Sequence, residues 1–249
     1  MKKIYYLWLR QIKIYLRSRA RIIGTVAQPI IFLIMFGYGF GGSFGGGGGN
    51  YLSFLAPGIV GMSILFTSIF TGIEVIWDRQ FGFLKETLVA PMPRTDVMIG
   101  RTVGGATVAT IQGIIVLFVS MIFGFRPANW SALIPVIFIM FLVALIFSSI
   151  GTVIGSMLND MQAFQLIMNF LVQPLFFLSG ALFKLQGLPD WLTFISRIDP
   201  LTYAIDGFRV LLSNIGHHDL SLGHDVLFLI VMAAFFLLVG GRSFDRIQI

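Results

Sequence analysis

Fifty-two consecutive residues, 22–73, contain no Asp, Glu, Lys or Arg. Four shorter stretches, 102–125, 127–159, 161–183 and 226–241, are equally free of charge. A bilayer core of about 30 Å needs about 20 apolar residues of helix, so the long stretch is enough for two spans. It divides at 41–50, GGSFGGGGGN, where glycine weakens helix propensity and chain stiffness. The chain therefore reads as one all-α transmembrane domain, residues 1–249, with spans at about 22–40, 52–74, 102–124, 132–158, 163–183 and 225–241. Composition agrees with lipid as the solvent. Hydrophobic residues make up 57% and charged residues 11%, against about 45–50% and about 25% in soluble globular chains.

The chain has no cysteine, which excludes disulfides, thiol nucleophiles and thiolate metal sites. A signal peptide is a poor reading of the N-terminus. Its basic region would be 21 residues long and its apolar core 19, both too long, and no A-x-A site follows.

Six spans put both ends on one side. Thirteen Lys and Arg fall on that side and four on the other, with six and five acids respectively. The positive-inside rule then makes both termini cytoplasmic, with +7 inside and −1 outside. The net charge of +6 is an orientation signal rather than a nucleic-acid footprint.

Three segments outside the spans have character of their own. In 2–21, Lys2, Lys3, Tyr6, Arg10, Lys13 and Arg17 share one helical face, and Ile4, Leu7, Trp8, Leu9, Ile12 and Leu16 cover the rest. Such a helix lies at the membrane surface with its cations toward headgroups. The inner loop 75–101 contains a helix expected over 77–90, ending before Pro91; it is either a solvated connector or a docking element for a cytoplasmic protein. The outer segment 184–224 is too apolar for an open loop. It is expected to form a short helix after Leu188-Pro189 and a second over 200–213, capped by Asp199-Pro200. Both should rest on or dip into the outer leaflet, with Asp206 and Arg209 paired at the surface. His217, His218, Asp219 and His224 are spaced for a solvated loop rather than for a metal.

No G-x-x-x-x-G-K-[ST] phosphate loop is present. No charge sits at mid-span, which disfavours ion coupling, and no catalytic triad or H-E-x-x-H set appears. Gln165, Asn169 and Gln173 recur every four residues on one face of the fifth span. They are either glue between helices or a polar strip along a path. Ser148, Ser149, Gly151, Thr152, Gly155 and Ser156 make the fourth span a small-residue packing surface.

Three stretches are similar to the type-2 ABC transporter permeases, especially the drug-exporter-like, daunorubicin-resistance-type membrane subunits. YLSFLAPGIVG (51–61) looks like the start of that family's second span. DRQFGFLKETLVAPMPRTDVMIGR (78–101) resembles its inner loop, with a Gly, a Glu and an Ala-Pro before an Arg. The outer segment resembles its signature through Leu188-Pro189-x-Trp191-Leu192, Asp199-Pro200-Leu201-Thr202-Tyr203 and Asp206-x-x-Arg209. The run Gly45–Gly49 is unusual and has no assigned role.

The resemblance implies six spans, a surface-lying N-terminal helix and paired outer helices carrying Pro189, Trp191, Asp199, Pro200, Tyr203, Asp206 and Arg209. It implies coupling to a separate cytoplasmic ATP-binding subunit through Asp78, Arg79, Gln80, Gly82, Leu84, Lys85, Glu86, Leu88 and Pro91. ATP and Mg2+ would be used by that partner, and this chain would hold no cofactor and no catalytic site. It further implies a second copy or a related permease in the plasma membrane, with Phe66, Phe70, Gln165, Asn169 and Gln173 near a hydrophobic or amphipathic substrate. A non-transporting membrane scaffold or sensor subunit is the alternative.

Overall fold

A computed structural model of the chain describes residues 2–39, 49–83, 93–183, 185, 189–213 and 222–245. Regular structure among them is entirely helical. The elements are α1 (Lys2–Arg17), α2 (Arg19–Gly39), α3 (Gly49–Gln80), α4 (Arg94–Ile122), α5 (Leu133–Met157), α6 (Met161–Leu178), α7 (Asp190–Ile198), α8 (Pro200–Ser213) and α9 (Leu222–Asp245). Six of these, α2 to α6 and α9, are long and apolar enough to cross a membrane.

The ends of the helices follow local chemistry. Asp160 caps α6, its carboxylate accepting from the Gln162 and Ala163 amides, and Asp199 caps α8 by accepting from the Leu201 amide at 2.9 Å. Gly180 follows α6 with φ +73°, a left-handed conformation that suits glycine. Gly82 does the same just past α3, with φ +79°. Of the inner helix expected over 77–90, residues 84–90 lie outside the described residues. Trp77 to Gln80 are the last residues of the second span's own helix, because nothing between Glu74 and Gln80 interrupts it and the break waits for Gly82. Leu84, Lys85, Glu86, Leu88 and Pro91 lie outside the described residues, as do His217, His218 and Asp219 and all of the glycine run but Gly49.

Helix α3 is the axis of the bundle, and most of its span is buried. It crosses α5 where both helices carry glycine. A methyl at Gly72 would overlap the Gly151 carbonyl, one at Gly151 the Ile69 carbonyl, and one at Gly155 the Gly72 carbonyl. Small residues let the two backbones touch, which in lipid replaces the hydrophobic drive. Ser148 adds a hydroxyl bond to the Ser68 carbonyl at 3.4 Å. The small-residue face of the fourth span is thus its contact with the second.

The N-terminal helix is amphipathic as expected, and one of its rows is covered by protein. Leu7, Gln11 and Tyr15 are buried, with Leu7 over Gly100 and Gln11 over Gly104 of α4. Trp8 Nε1 donates to Thr107 Oγ1 at 3.0 Å, and the Tyr15 hydroxyl donates to Gln112. Lys3, Lys13 and Arg17 remain exposed.

The outer segment differs from its expectation. Helix α7 exposes Trp191, Phe194, Ile195 and Ile198, as a leaflet-facing helix would. Helix α8 is buried among α3, α5 and α9, because Leu201, Ala204, Ile205, Phe208 and Leu212 are joined inside by Tyr203 and Arg209. Arg209 is therefore buried rather than at the surface.

Candidate functional site

Two regions gather the residues singled out by the sequence. The first is the inner end of α3. Glu74 and Asp78 stand one turn apart on that helix and so face the same way. Asp78 binds Arg101 of α4 and, at 3.0 Å, Arg10 of α1; Glu74 binds Arg21 of α2 at 2.5 Å. Arg79 turns to α5, where its guanidinium donates to the Ser156 carbonyl at 2.7 Å, the Leu158 carbonyl at 3.3 Å and the Asn159 side chain. A cation at a helix C-terminus meets unsatisfied carbonyls and the negative end of the dipole.

Glu74, Asp78 and Arg79 thus tie four helices to α3 rather than facing outward. The i, i+4 acids Glu74 and Asp78 at the end of a span, with arginines on three other helices, were a signal that sequence reading did not use. Gln80 is exposed, with its amide on the Asn159 carbonyl at 3.3 Å, and Phe81 beyond it is 83% exposed.

The second region is a cavity of about 190 Å³ between α2 and α3. Phe66 and Phe70 line it, their rings stacked at 6.3 Å, and Phe70 also meets Phe164 of α6 at 6.5 Å. Gln165, Asn169 and Gln173 do not line the cavity. They stand exposed on α6, so the polar strip and the aromatic pair occupy neighbouring surfaces rather than one pocket within a single copy.

At the outer end, Arg209 is the residue whose role sequence reading missed. Its guanidinium donates to the carbonyls of Phe54 at 3.2 Å, Gly180 at 2.8 Å and Ala181 at 3.1 Å, and lies 3.7 Å from the centre of the Phe54 ring. It joins the outer ends of α3 and α6 to α8. Burial lowers its pKa to about 10, with the charge of Asp206 opposing the shift, so it stays cationic at neutral pH. Tyr203 donates to the Arg197 carbonyl at 2.8 Å, linking α8 to α7. Trp191 is exposed, and Pro189 precedes α7.

The sequence pattern of the ABC-2 type transporter family matches residues 2–213, which takes in every element except α9. The chain belongs to the ABC-2 type transporter family. Among relatives, the inner membrane transport permease YadH of Escherichia coli K12 is 27% identical over 207 residues, covering 82% of this chain and 80% of its own. A protein of Cyanophora paradoxa named as a transport permease, ycf38, is 27% identical over 258 residues, covering 97% and 88%. Nodulation protein J of Rhizobium leguminosarum bv. viciae is 28% identical over 193 residues, covering 76% and 74%. In this ABC-2 chain the matched segment contains both the α3 charge cluster and the α2–α3 cavity. The resemblance drawn from its three motifs is the family itself, and the chain is a multi-pass transport permease of that kind.

Proposed function

We propose that this permease is the membrane subunit of an ATP-driven exporter moving a hydrophobic or amphipathic substrate out of the cytoplasm or inner leaflet. The observation that carries the reading is the family match over residues 2–213 in a chain without a phosphate loop. A separate cytoplasmic ATP-binding subunit would then supply the motor, with ATP and Mg2+ as its ligands. Its contact would be the segment that begins at Gln80, Phe81 and Gly82 and continues through Leu84, Lys85, Glu86, Leu88 and Pro91. The ion pairs just above would carry the push into α1, α2 and α4.

Helices α2, α6 and α9 bury few of their residues within one copy, which leaves room for lipid and for a second permease. Two copies would place Phe66 and Phe70 and the strip Gln165, Asn169 and Gln173 along one path. Both termini face the cytoplasm of a plasma-membrane protein in this arrangement.

The test is co-purification and charge reversal. Gentle extraction should recover a complex with ATPase activity, and Lys85→Glu with Glu86→Lys should abolish stimulation and transport. A lone monomer without ATPase would favour the scaffold alternative, and a fully active double variant would remove the docking surface.

A further inference from the structure

The cavity between α2 and α3 contains polar groups that the chain's own packing leaves unmet. Ser63 lines it on the α3 wall and is almost wholly buried, and its Oγ has no hydrogen-bond partner among the described residues. A buried hydroxyl without a partner is costly and is normally met by a ligand or water. The α2 wall has a matching gap. Pro29 lies inside that helix and has no N–H, so the Thr25 carbonyl four residues earlier loses its helical donor; both residues line the cavity. Gln28 and Thr67 add an amide and a hydroxyl to the lining.

Among the described residues, these walls present no free charge: Arg21 is the one charged residue of the lining, and its guanidinium is bound by Glu74, which is not part of the wall. A phosphate would need a free cation and an amine a free carboxylate. Phe66, Phe70 and Met62 complete the cavity with apolar surface, and a Cβ at Gly24 would meet nothing within 4 Å, so that edge is open. About 190 Å³ is the space of about six waters at about 30 Å³ each, enough for one small ring but not for a whole lipid.

We infer that this cavity receives the uncharged, hydroxyl-bearing headgroup of an amphiphile. Ser63, Thr67 and Gln28 bond its hydroxyls, and Phe66 and Phe70 take its apolar face, while the tail lies outside along the exposed side chains of α2. The inference rests on reading Phe66 and Phe70 as path residues and narrows the substrate class there.

The full chain in lipid nanodiscs, photolabelled with a diazirine-bearing alkyl glucoside and mapped by mass spectrometry, tests it. Label should fall on residues 24–29 and 62–70. Octyl glucoside should compete at least about tenfold better than octyl phosphocholine or octylammonium, the worth of about one hydrogen bond. Ser63→Ala and Gln28→Leu, each checked for an unchanged elution profile, should weaken labelling by about the same factor. Equal competition by the three headgroups, labelling confined to α6, or unchanged labelling of both variants overturns the proposal. Labelling needs no ATPase, so it can fail while ATP-driven transport stands, and transport can fail while labelling succeeds.

Discussion

Arg101, on α4, binds the carboxylate of Asp78, on α3, with only 3% of its side chain exposed. Arg10 of α1 takes the other carboxylate oxygen, so one acid joins three helices at the inner end of the bundle. Two donors of Arg101, Nε and Nη1, are buried without a partner among the described residues, which makes the cluster depend on Asp78. Removing one member of a buried pair leaves an uncompensated charge and typically costs about 3–5 kcal/mol. Asp78→Ala should therefore lower the thermal stability of the detergent-solubilised protein sharply. Asp78→Leu with Arg101→Met should recover much of the loss in a double-mutant cycle.

The glycine crossing sets a second expectation. Since the carbonyls of Ile69, Gly72 and Gly151 occupy the space a side chain would need, Gly151→Val cannot be absorbed by a rotamer change. Helices α3 and α5 must separate, at a cost above the about 1–3 kcal/mol of ordinary overpacking. The monodisperse fraction in size-exclusion chromatography should collapse for Gly151→Val. For Gly24→Ala it should stay at the wild-type level, because nothing lies within 4 Å of the new methyl.

Stability should depend on pH through Asp199. Burial raises its carboxyl to about 7, against the opposing pull of the Leu201 amide, and its Oδ2 has no partner among the described residues. The folded pKa lies above the unfolded one, so the folded state holds the proton more tightly. The resulting stabilisation is full below about pH 4, falls as pH rises, and is gone once pH passes about 7. Asp199→Asn keeps the acceptor that caps α8 and has no proton to lose. Melting curves from pH 5 to 8 should show wild type losing stability relative to Asp199→Asn, with no further change above that range.

Arg209 gives the fourth prediction. Three carbonyls accept from its guanidinium, and a methionine of similar length would leave them unpaired. At about 1–3 kcal/mol for an unsatisfied buried group, Arg209→Met should be strongly destabilising. Arg209→Lys should fall between, since one ammonium cannot reproduce the planar fork. Proteolysis within 184–199 should accelerate in the same order if Arg209 holds the outer ends of α3 and α6 to α8.

Much of this was legible before any coordinates. Charge-free runs located the spans because hydrocarbon excludes ionised side chains whatever the neighbouring helices do. Asp199-Pro200 marked the start of α8 because a cap and a pre-set φ act locally. Local chemistry was less informative about where a helix continues. Trp77 to Gln80 extend α3 because a stop signal is needed to end a helix, and the nearest one is Gly82. The cavity was half visible, through Phe66 and Phe70; Ser63 and Gln28 were not singled out, since a lone hydroxyl or amide in a span carries no pattern.

By itself, then, the sequence determined that the chain is a helical membrane protein with six apolar spans, and which family its motifs resemble. Tertiary structure decided what the charged and polar residues do. Asp78 and Arg79 brace α3 against its neighbours, Arg209 is buried and holds main-chain carbonyls, and Ser63 lines a cavity. The reason is physical: hydropathy acts through the solvent and is read residue by residue. A buried ion or hydroxyl is defined by its partners, which come from helices as far apart in sequence as Arg10 and Asp78.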